Sequence, residues 1–274
     1  MAEALQGGSL AGSHEGKPGL PRGRSRLPAR DVRASQVDRL RRAVIAAVAE
    51  DGYPDVTVGD IVRRARVSRA AFYAHFTGKE GCFLSATRQG GKLLADRVVA
   101  ATHALPPGAE DEDVLRAAYR GFLDFLTDEP AFARVFYIDM TAAGPRAIGR
   151  LEAAERHFAH MTATWHKRAR TRHPEWPAVP DEAYLALVGG TTELVRSALR
   201  GGHGDGLRNL EHTLVSLHLA VLAARPWPDD DEPGGDGASA DGAAADGARA
   251  DGARADRAGA DGARADGASA DRPS

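Results

Sequence analysis

Residues 57–83 carry hydroxyl-bearing and basic side chains at spacings that suit binding to a polyanion. Thr57 and Asp60 form a T-x-x-D pattern, in which hydroxyl and carboxylate can each accept a backbone N–H at the start of a helix. Ser68 is placed to cap a second helix over about residues 69–75. The pattern therefore predicts two short helices joined by a tight turn.

The second of these helices is too short to be stable alone, so neighbouring elements must hold it. Phe72 and Phe76 lie four residues apart and are expected to face the core. The side chains left for the outer face are Arg69, Ala70, Tyr73 and His75. Small, basic and hydroxyl-bearing groups on a short exposed helix suit the major groove of DNA.

The charges are segregated along the 274 residues, although the net charge is only −2. Residues 17–80 hold 14 Lys and Arg against 7 Asp and Glu, whereas residues 81–228 hold 17 of each. Residues 229–274 hold 5 basic against 12 acidic residues. A basic segment that coincides with the two short helices favours a nucleic-acid partner.

Other classes of function find little support in the sequence. The single cysteine, Cys82, excludes an internal disulfide framework and indicates a reducing, cytoplasmic location. No apolar run approaches the ~18–20 residues that a membrane span needs. Four histidines invite a metal hypothesis, but solvated or partly buried side chains explain them better: His157, His160, His166 and His173. We find no nucleophile elbow, phosphate loop or paired acids, so we expect neither catalysis nor a cofactor.

The apolar periodicity predicts an all-α fold, without a convincing strand pattern. The predicted helices begin near Ser35 and, beyond the two short ones, span about 78–102, 110–128, 130–142, 145–172, 180–200 and 206–225. Four regions follow: a disordered basic arm (1–34), a helix-turn-helix domain (35–84), a helical body (85–227) and a disordered acidic tail (228–274). The tail repeats a D-G-A-x-A unit, whose alanines cannot bury enough surface to offset chain entropy.

The segment from about Ser35 to Leu84 resembles the DNA-binding domain of tetracycline-repressor-like (TetR/AcrR) transcription factors. The resemblance rests on the run VTVGDIVRRARVS followed by RAAFYAHFTGKEGCFL. It implies an N-terminal three-helix helix-turn-helix domain and a C-terminal helical domain for ligand binding and dimerisation. The sequence departs from the family at Arg66, where Gly is frequent, and at Ala71, where Thr is common.

By position, the resemblance assigns DNA contacts to Thr57, Ser68, Arg69, Ala70, Tyr73, His75 and Lys79. Of these, Thr57, His75 and Lys79 would contact phosphates, and Tyr73 would reach a phosphate or a base edge. Direct base reading would fall mainly on Arg69, because Arg can pair with guanine O6 and N7.

The helical body is rich in aromatic residues, which are most simply explained as core. In the TetR family the same region usually encloses an effector pocket. The resemblance thus implies a small, largely apolar effector, with a pocket formed by Phe122, Phe136, Met140, Phe158, Met161 and Trp165. Further candidates for polar contacts are Asp139, Thr141 and His160.

The resemblance implies a homodimer that binds a palindromic operator on double-stranded DNA, acts as a repressor and is released by the effector. The helices at about 180–200 and 206–225 would pair with their copies in a four-helix interface. Two alternatives within DNA binding stay open: an activator and a ligand-independent regulator. From a different class, a small all-helical enzyme also stays open.

Overall fold

The computed structural model describes residues 8–15, 28–201 and 206–223. Within these ranges the protein is all-helical, which confirms the predicted fold class. The α-helices are, in chain order, α1 (Ala29–Asp51), α2 (Val58–Ala65), α3 (Arg69–Tyr73), α4 (Lys79–His103), α5 (Asp111–Asp128), α6 (Pro130–Arg134), α7 (Pro145–Ala169), α8 (Asp181–Arg200) and α9 (Leu210–Leu222). A π-helical turn (Val135–Asp139) and a 3-10 turn (Met140–Ala143) connect α6 to α7.

The start of the chain differs from the prediction. Helix α1 begins at Ala29 rather than near Ser35, and its added first turn is mostly exposed, so no apolar face reveals it in the sequence. The predicted disorder of residues 1–34 is therefore wrong for the start of α1, and also for residues 8–15, which pack against the body. The predicted tail at 228–274 lies outside the described residues.

The other predicted boundaries agree to within four residues, with one exception. The single helix predicted over about 130–142 is wrong, because α6 is followed by the π-helical and 3-10 turns. The recognition helix, α3, ends at Tyr73 rather than His75.

The first four helices enclose an apolar core that fixes the helix-turn-helix. Leu40 of α1, Ile61 of α2 and Phe83 of α4 are fully buried. Between α2 and α3, Arg66 adopts a left-handed conformation (φ 54°, ψ 42°), and its N–H donates to the Arg63 carbonyl. A non-glycine residue in that conformation costs of order 1 kcal/mol.

Residues 8–15 form an N-terminal strap that begins at the corner between α5 and α6. The buried Glu129 carboxylate accepts hydrogen bonds from the Ser9 N–H and hydroxyl, both at 2.7 Å, and from the Leu10 N–H at 2.9 Å. Gly8 has a φ of +102°, and a Cβ there would lie 2.3 Å from a Glu129 carboxylate oxygen. Only glycine allows the strap to approach the carboxylate so closely.

The other end of the strap contacts the helix-turn-helix. The His14 N–H donates to the Arg64 carbonyl at 2.7 Å, near the carboxyl end of α2. Glu15 forms an ion pair with Arg63 of the same helix. The strap thus links the α5–α6 corner to α2.

Helix α9 is tied to α5 by a buried hydrogen bond. The fully buried His218 donates from Nδ1 to the Leu214 carbonyl at 2.8 Å, which leaves Nε2 to accept the Tyr119 hydroxyl at 2.5 Å. Burial lowers the pKa of His218 to about 4. The imidazole is therefore neutral in the folded protein at pH 7.

Removal of the Glu129 carboxylate should release the strap and change little else. We expect Glu129→Ala to lower the free energy of unfolding by about 1–3 kcal/mol, because three donors of the strap lose their buried acceptor. Deletion of residues 2–15 should cost a similar amount, and the combined variant should lose little more, since both changes remove the same contacts. Denaturant unfolding of the four proteins measures this coupling, and fully additive losses would contradict it. Glu112→Ala, at an exposed i,i+4 pair, is the matched control.

His218 should make the protein less stable in acid. Its pKa is lower in the folded than in the unfolded chain, so between about pH 6.5 and pH 4 the unfolded state binds more protons and stability falls as the pH falls. This group alone should account for about 2 kcal/mol between pH 7 and pH 5. We expect His218→Gln, which keeps an acceptor for Tyr119, to lose that much less stability over this interval than the parent protein. The exposed His212→Gln serves as the control, and parallel pH curves for His218→Gln and the parent would refute the assignment.

Candidate DNA-binding surface and ligand cavity

Helix α3 exposes one face while an aromatic ring anchors the other. The Ser68 hydroxyl caps the helix by accepting the Ala71 N–H at 3.1 Å. Phe72 is fully buried, whereas the Tyr73 side chain is 55% exposed, and Arg69 is exposed as well. Among the residues assigned to DNA by sequence, Ser68, Arg69, Ala70 and Tyr73 lie together on this open surface.

The Arg69 guanidinium extends over the first turn of α2. A Cβ built on Gly59 would lie 3.2 Å from an Arg69 Nη atom, so the missing side chain at Gly59 leaves space for the guanidinium. Helices α2 and α3 thereby share a continuous surface.

Thr57, by contrast, uses its hydroxyl within the protein. The hydroxyl donates to Asp60 Oδ2 at 2.6 Å and accepts the Asp60 N–H at 3.3 Å. The Thr57 N–H donates to Asp60 Oδ2 at 3.0 Å, which completes the predicted capping box. These hydrogen bonds from Thr57 lower the pKa of Asp60 to about 2. At the start of α2, the free backbone N–H groups of the first turn are better placed to donate to a phosphate than this hydroxyl.

Lys79 and His75 also have partners inside the protein. The Lys79 ammonium donates to the carbonyls of Tyr53 and Pro54, at 2.7 and 3.3 Å, and lies 4.3 Å above the Tyr53 ring. Burial lowers the pKa of Lys79. The His75 Nε2 pairs with Gln36 Oε1 on α1 at 2.8 Å. Both residues brace the helix-turn-helix, and Lys79 retains one N–H for another partner.

The arginines of α2 are occupied by acidic residues. Arg64 pairs with Glu50 at 2.7 Å, and Arg63 pairs with Glu15 of the strap and with Asp60. Both arginines therefore have intramolecular partners.

A cavity of about 550 Å³ lies in the helical body, within the range of small-molecule sites. Helices α4, α5, α7 and α8 and the π-helical turn form its walls. The lining is mainly apolar and includes Val98, Leu115, Tyr119, Phe122, Phe136, Tyr137, Leu151, Phe158, Met161, Trp165 and Val188.

Five of the six predicted pocket residues line this cavity: Phe122, Phe136, Phe158, Met161 and Trp165. Met140 is a correction, because it is buried in the core and does not reach the cavity. The π-helical turn adds a residue to the local repeat, so the face that carries Phe136 does not continue to Met140. Of the candidate polar contacts, His160 lines the cavity, whereas Asp139 and Thr141 do not.

Several polar lining residues were not predicted. Tyr119 is half-buried and Thr191 and Thr192 are buried on the wall formed by α5 and α8. The sequence places them on apolar helix faces, where they resemble ordinary core positions. In the sequence, only their positions between large apolar residues on those faces could have identified them as lining a cavity.

Helices α8 and α9 bury part of their apolar side chains within the protomer and expose others. Tyr184, Leu187 and Leu214 pack inside the protomer, whereas Leu185 and Leu217 are 45% and 37% exposed. Gly189 and Gly190 of α8 face open space. The outer surface of α8 would therefore permit close approach of another helix.

The described residues contain neither a metal-binding cluster nor a membrane-spanning helix. No group of three His, Cys, Asp or Glu is arranged to hold a metal ion in this part of the chain. None of the described helices is long and apolar enough to cross a membrane.

Comparison with known proteins agrees with the geometry of the helix-turn-helix. Residues 42–86 match the family described as bacterial regulatory proteins, tetR family. The match spans α2, α3 and the start of α4, and thus includes the exposed surface around Arg69 and Tyr73.

Solved structures resemble the chain over about two thirds of its length. The fatty acid degradation regulator FadR from Bacillus halodurans is 16% identical, with a TM-score of 0.61, over 67% of this chain and 94% of that one. The regulator FadR from Bacillus subtilis, solved in complex with stearoyl-CoA, is 15% identical, with a TM-score of 0.58, over 69% and 98%. A TetR-like regulator from Rhodococcus sp. RHA1 is 24% identical, with a TM-score of 0.53, over 71% and 99%. These similarities concern the fold, and the family match identifies residues 42–86 as a helix-turn-helix segment of the tetR family of bacterial regulatory proteins.

Proposed function

We propose that this protein is a homodimeric repressor that binds a palindromic operator and releases it when a small, largely apolar molecule enters the cavity. The observation that carries the proposal is the position of α4. Its first residue, Lys79, adjoins the recognition helix, and its last turns, with Val98 and Thr102, line the cavity. A helix of 25 residues spans about 37 Å, so one rigid element connects the two sites.

The DNA contacts follow from the exposed surface of α3. Arg69 would read a base edge and Tyr73 a phosphate or a base, while Ser68 and Ala70 would allow close approach to the groove. Backbone N–H groups at the start of α2, beside Thr57, would donate to a phosphate. His75 and Lys79 would act mainly by bracing this surface, with one Lys79 N–H available for a phosphate.

A twofold dimer would double the contacts with DNA, since one short helix reads few bases. The exposed Leu185 and Leu217, with open space at Gly189 and Gly190, make the outer surface of α8 and α9 suited to pairing with a second copy. An isologous four-helix interface would bury both leucines.

The effector would bind in the cavity and favour a conformation in which the two recognition helices no longer fit the operator. Its apolar lining suits a largely apolar molecule. One structural neighbour was solved with stearoyl-CoA, which is consistent with an apolar effector for this fold. To change occupancy from 99:1 to 1:99, the effector must discriminate between the two conformations by about 5.5 kcal/mol.

Selection of bound duplexes from a random DNA pool tests the main claim. We expect an enriched palindrome, protected from cleavage over two half-sites about one helical turn apart. Transcription from a template with and without this operator then distinguishes a repressor from an activator. Failure to enrich any sequence at low salt would refute the proposal.

Arg69→Ala should weaken binding to the selected operator by about 1–3 kcal/mol and relax the choice of base at one position per half-site. Equilibrium titration of operator variants measures both effects. Arg156→Ala, which removes an equal charge from the exposed side of α7, is the control and should leave affinity nearly unchanged. Unaltered base preference in Arg69→Ala would exclude a base-reading role.

Lys79→Ala should affect stability as well as binding. Loss of the hydrogen bonds to Tyr53 and Pro54 should lower the free energy of unfolding by about 1–2 kcal/mol. Loss of a phosphate contact should weaken binding to all sequences about equally and reduce the salt slope by about one. Denaturant unfolding and salt titrations separate the two effects. Lys79→Arg retains the charge, and a changed sequence preference in Lys79→Ala would contradict the phosphate assignment.

A further inference from the structure

We propose that the cavity selects apolar monocarboxylates, whose acid group is bound by a basic rim formed by His103, His160 and Arg168. This inference rests on the proposed function, because it names the chemical class of the effector. The argument depends on where charge and unpaired donors lie around the cavity.

The basic rim lies at the exposed edge of the cavity. His160, Thr164 and Arg168 are spaced four residues apart on α7, and all three are exposed. His103 faces the cavity from the end of α4. Spacing by four puts the α7 residues on one side of the helix. The rim therefore concentrates positive charge and donors at one edge of an apolar space.

The rim side chains have no acidic partners in the described part of the chain. Arg168 forms no ion pair there, and neither do the rings of His103 and His160. This contrasts with Arg63, Arg64 and the other arginines that are paired with carboxylates. An anion from outside the protein would provide the missing partner.

The acidic lining residue Glu155 is distant from Arg168, the permanently charged member of the rim. It lies 13 positions before Arg168 on α7, which corresponds to about 20 Å along the helix axis. Its charge acts nearer to His160 and to the buried Tyr137, whose pKa it contributes to raising. Positive charge therefore dominates at the Arg168 end of the rim.

An unpaired donor lies next to the rim. The Trp165 indole Nε1–H is buried and has no hydrogen-bond partner among the described residues. Trp165 lines the cavity one turn before Arg168. A buried unsatisfied donor costs about 1–3 kcal/mol, so an acceptor oxygen on a ligand would be stabilised here. A carboxylate supplies one oxygen for Trp165 and one for Arg168.

The apolar part of such a ligand would extend inward. Beyond the rim the walls are formed by Phe122, Phe136, Phe158 and Val188. This lining favours an alkyl or aryl tail and offers no buried acid that would attract a cation near the rim. A neutral ligand of the same shape would occupy the apolar part of the cavity but would form no ion pair with the basic rim.

Titration calorimetry on the full chain tests the charge selection with three probes of equal chain length, each kept below its micelle concentration or solubility limit: dodecanoate, dodecanol and dodecylammonium. We expect dodecanoate to bind at least about tenfold more tightly than dodecanol, and dodecylammonium to bind most weakly. Arg168→Gln should weaken dodecanoate about tenfold and leave dodecanol unchanged. Trp165→Phe, which keeps a ring but removes the donor, should weaken dodecanoate and dodecanol alike by about fivefold.

The control variant is Arg156→Gln, which removes a charge from α7 outside the cavity lining and should not alter any affinity. Three outcomes would overturn the inference: equal affinities for the three probes, no binding, or an Arg168→Gln variant that binds dodecanol and dodecanoate more weakly to the same extent.

Operator affinity measured in the same samples distinguishes a failure of this inference from a failure of the proposed function. Release of the operator by dodecanol as well as dodecanoate would overturn charge selection but support an effector role. Selective binding of dodecanoate without any change in operator affinity would support the basic rim and refute the effector role.

Discussion

A helix of five residues has no stability of its own in water, so the proposed DNA-binding surface depends on the burial of Phe72. The Phe72 ring is fully buried, with its centroid 5.7 Å from that of Phe76 and 5.3 Å from that of Tyr73. Burial of one such side chain contributes about 1.5–3 kcal/mol, more than five residues of helix propensity can provide. The outward direction of Arg69 is therefore set by a contact on the opposite face of α3.

Close packing also restrains α4, the helix that joins the proposed DNA-binding surface to the cavity. A Cβ built on Gly90 of α4 would lie 2.0 Å from the Phe132 ring of α6. A Cβ on Gly121 of α5 would lie 2.8 Å from the Ala101 Cβ of α4. Since packed interiors tolerate little overlap, α4 cannot shift without moving α5 and α6, whose corner also holds the strap through Glu129.

The sequence predicts the local features of the fold better than its long-range ones. The capping box at Thr57 and the core positions of the helices arise from contacts within a few residues, and these predictions hold. The strap was missed because its hydrogen bonds join residues 120 positions apart in a segment without periodicity. The resemblance that implies a pocket does not reveal the π-helical turn, which changes the direction of the side chains after Phe136 and keeps Met140 in the core. Phosphate contacts at His75 and Lys79 rested on position alone, which cannot reveal that Gln36 and the Tyr53 carbonyl lie within hydrogen-bonding distance.

Under the proposed function, Tyr119 gives the cavity a second mechanical connection besides α4. Its ring lines the cavity, and its hydroxyl donates to the buried His218 of α9, the helix whose outer surface carries Leu217. A displacement of Tyr119 by a ligand must therefore either move α9 with it or leave the buried His218 without this donor. A ligand that fills the cavity therefore acts on the proposed dimer surface through α5 and α9, and on the recognition helix through α4. A change in the spacing of two recognition helices needs both effects, because spacing depends on the angle between protomers as well as on the position of α3 within each one.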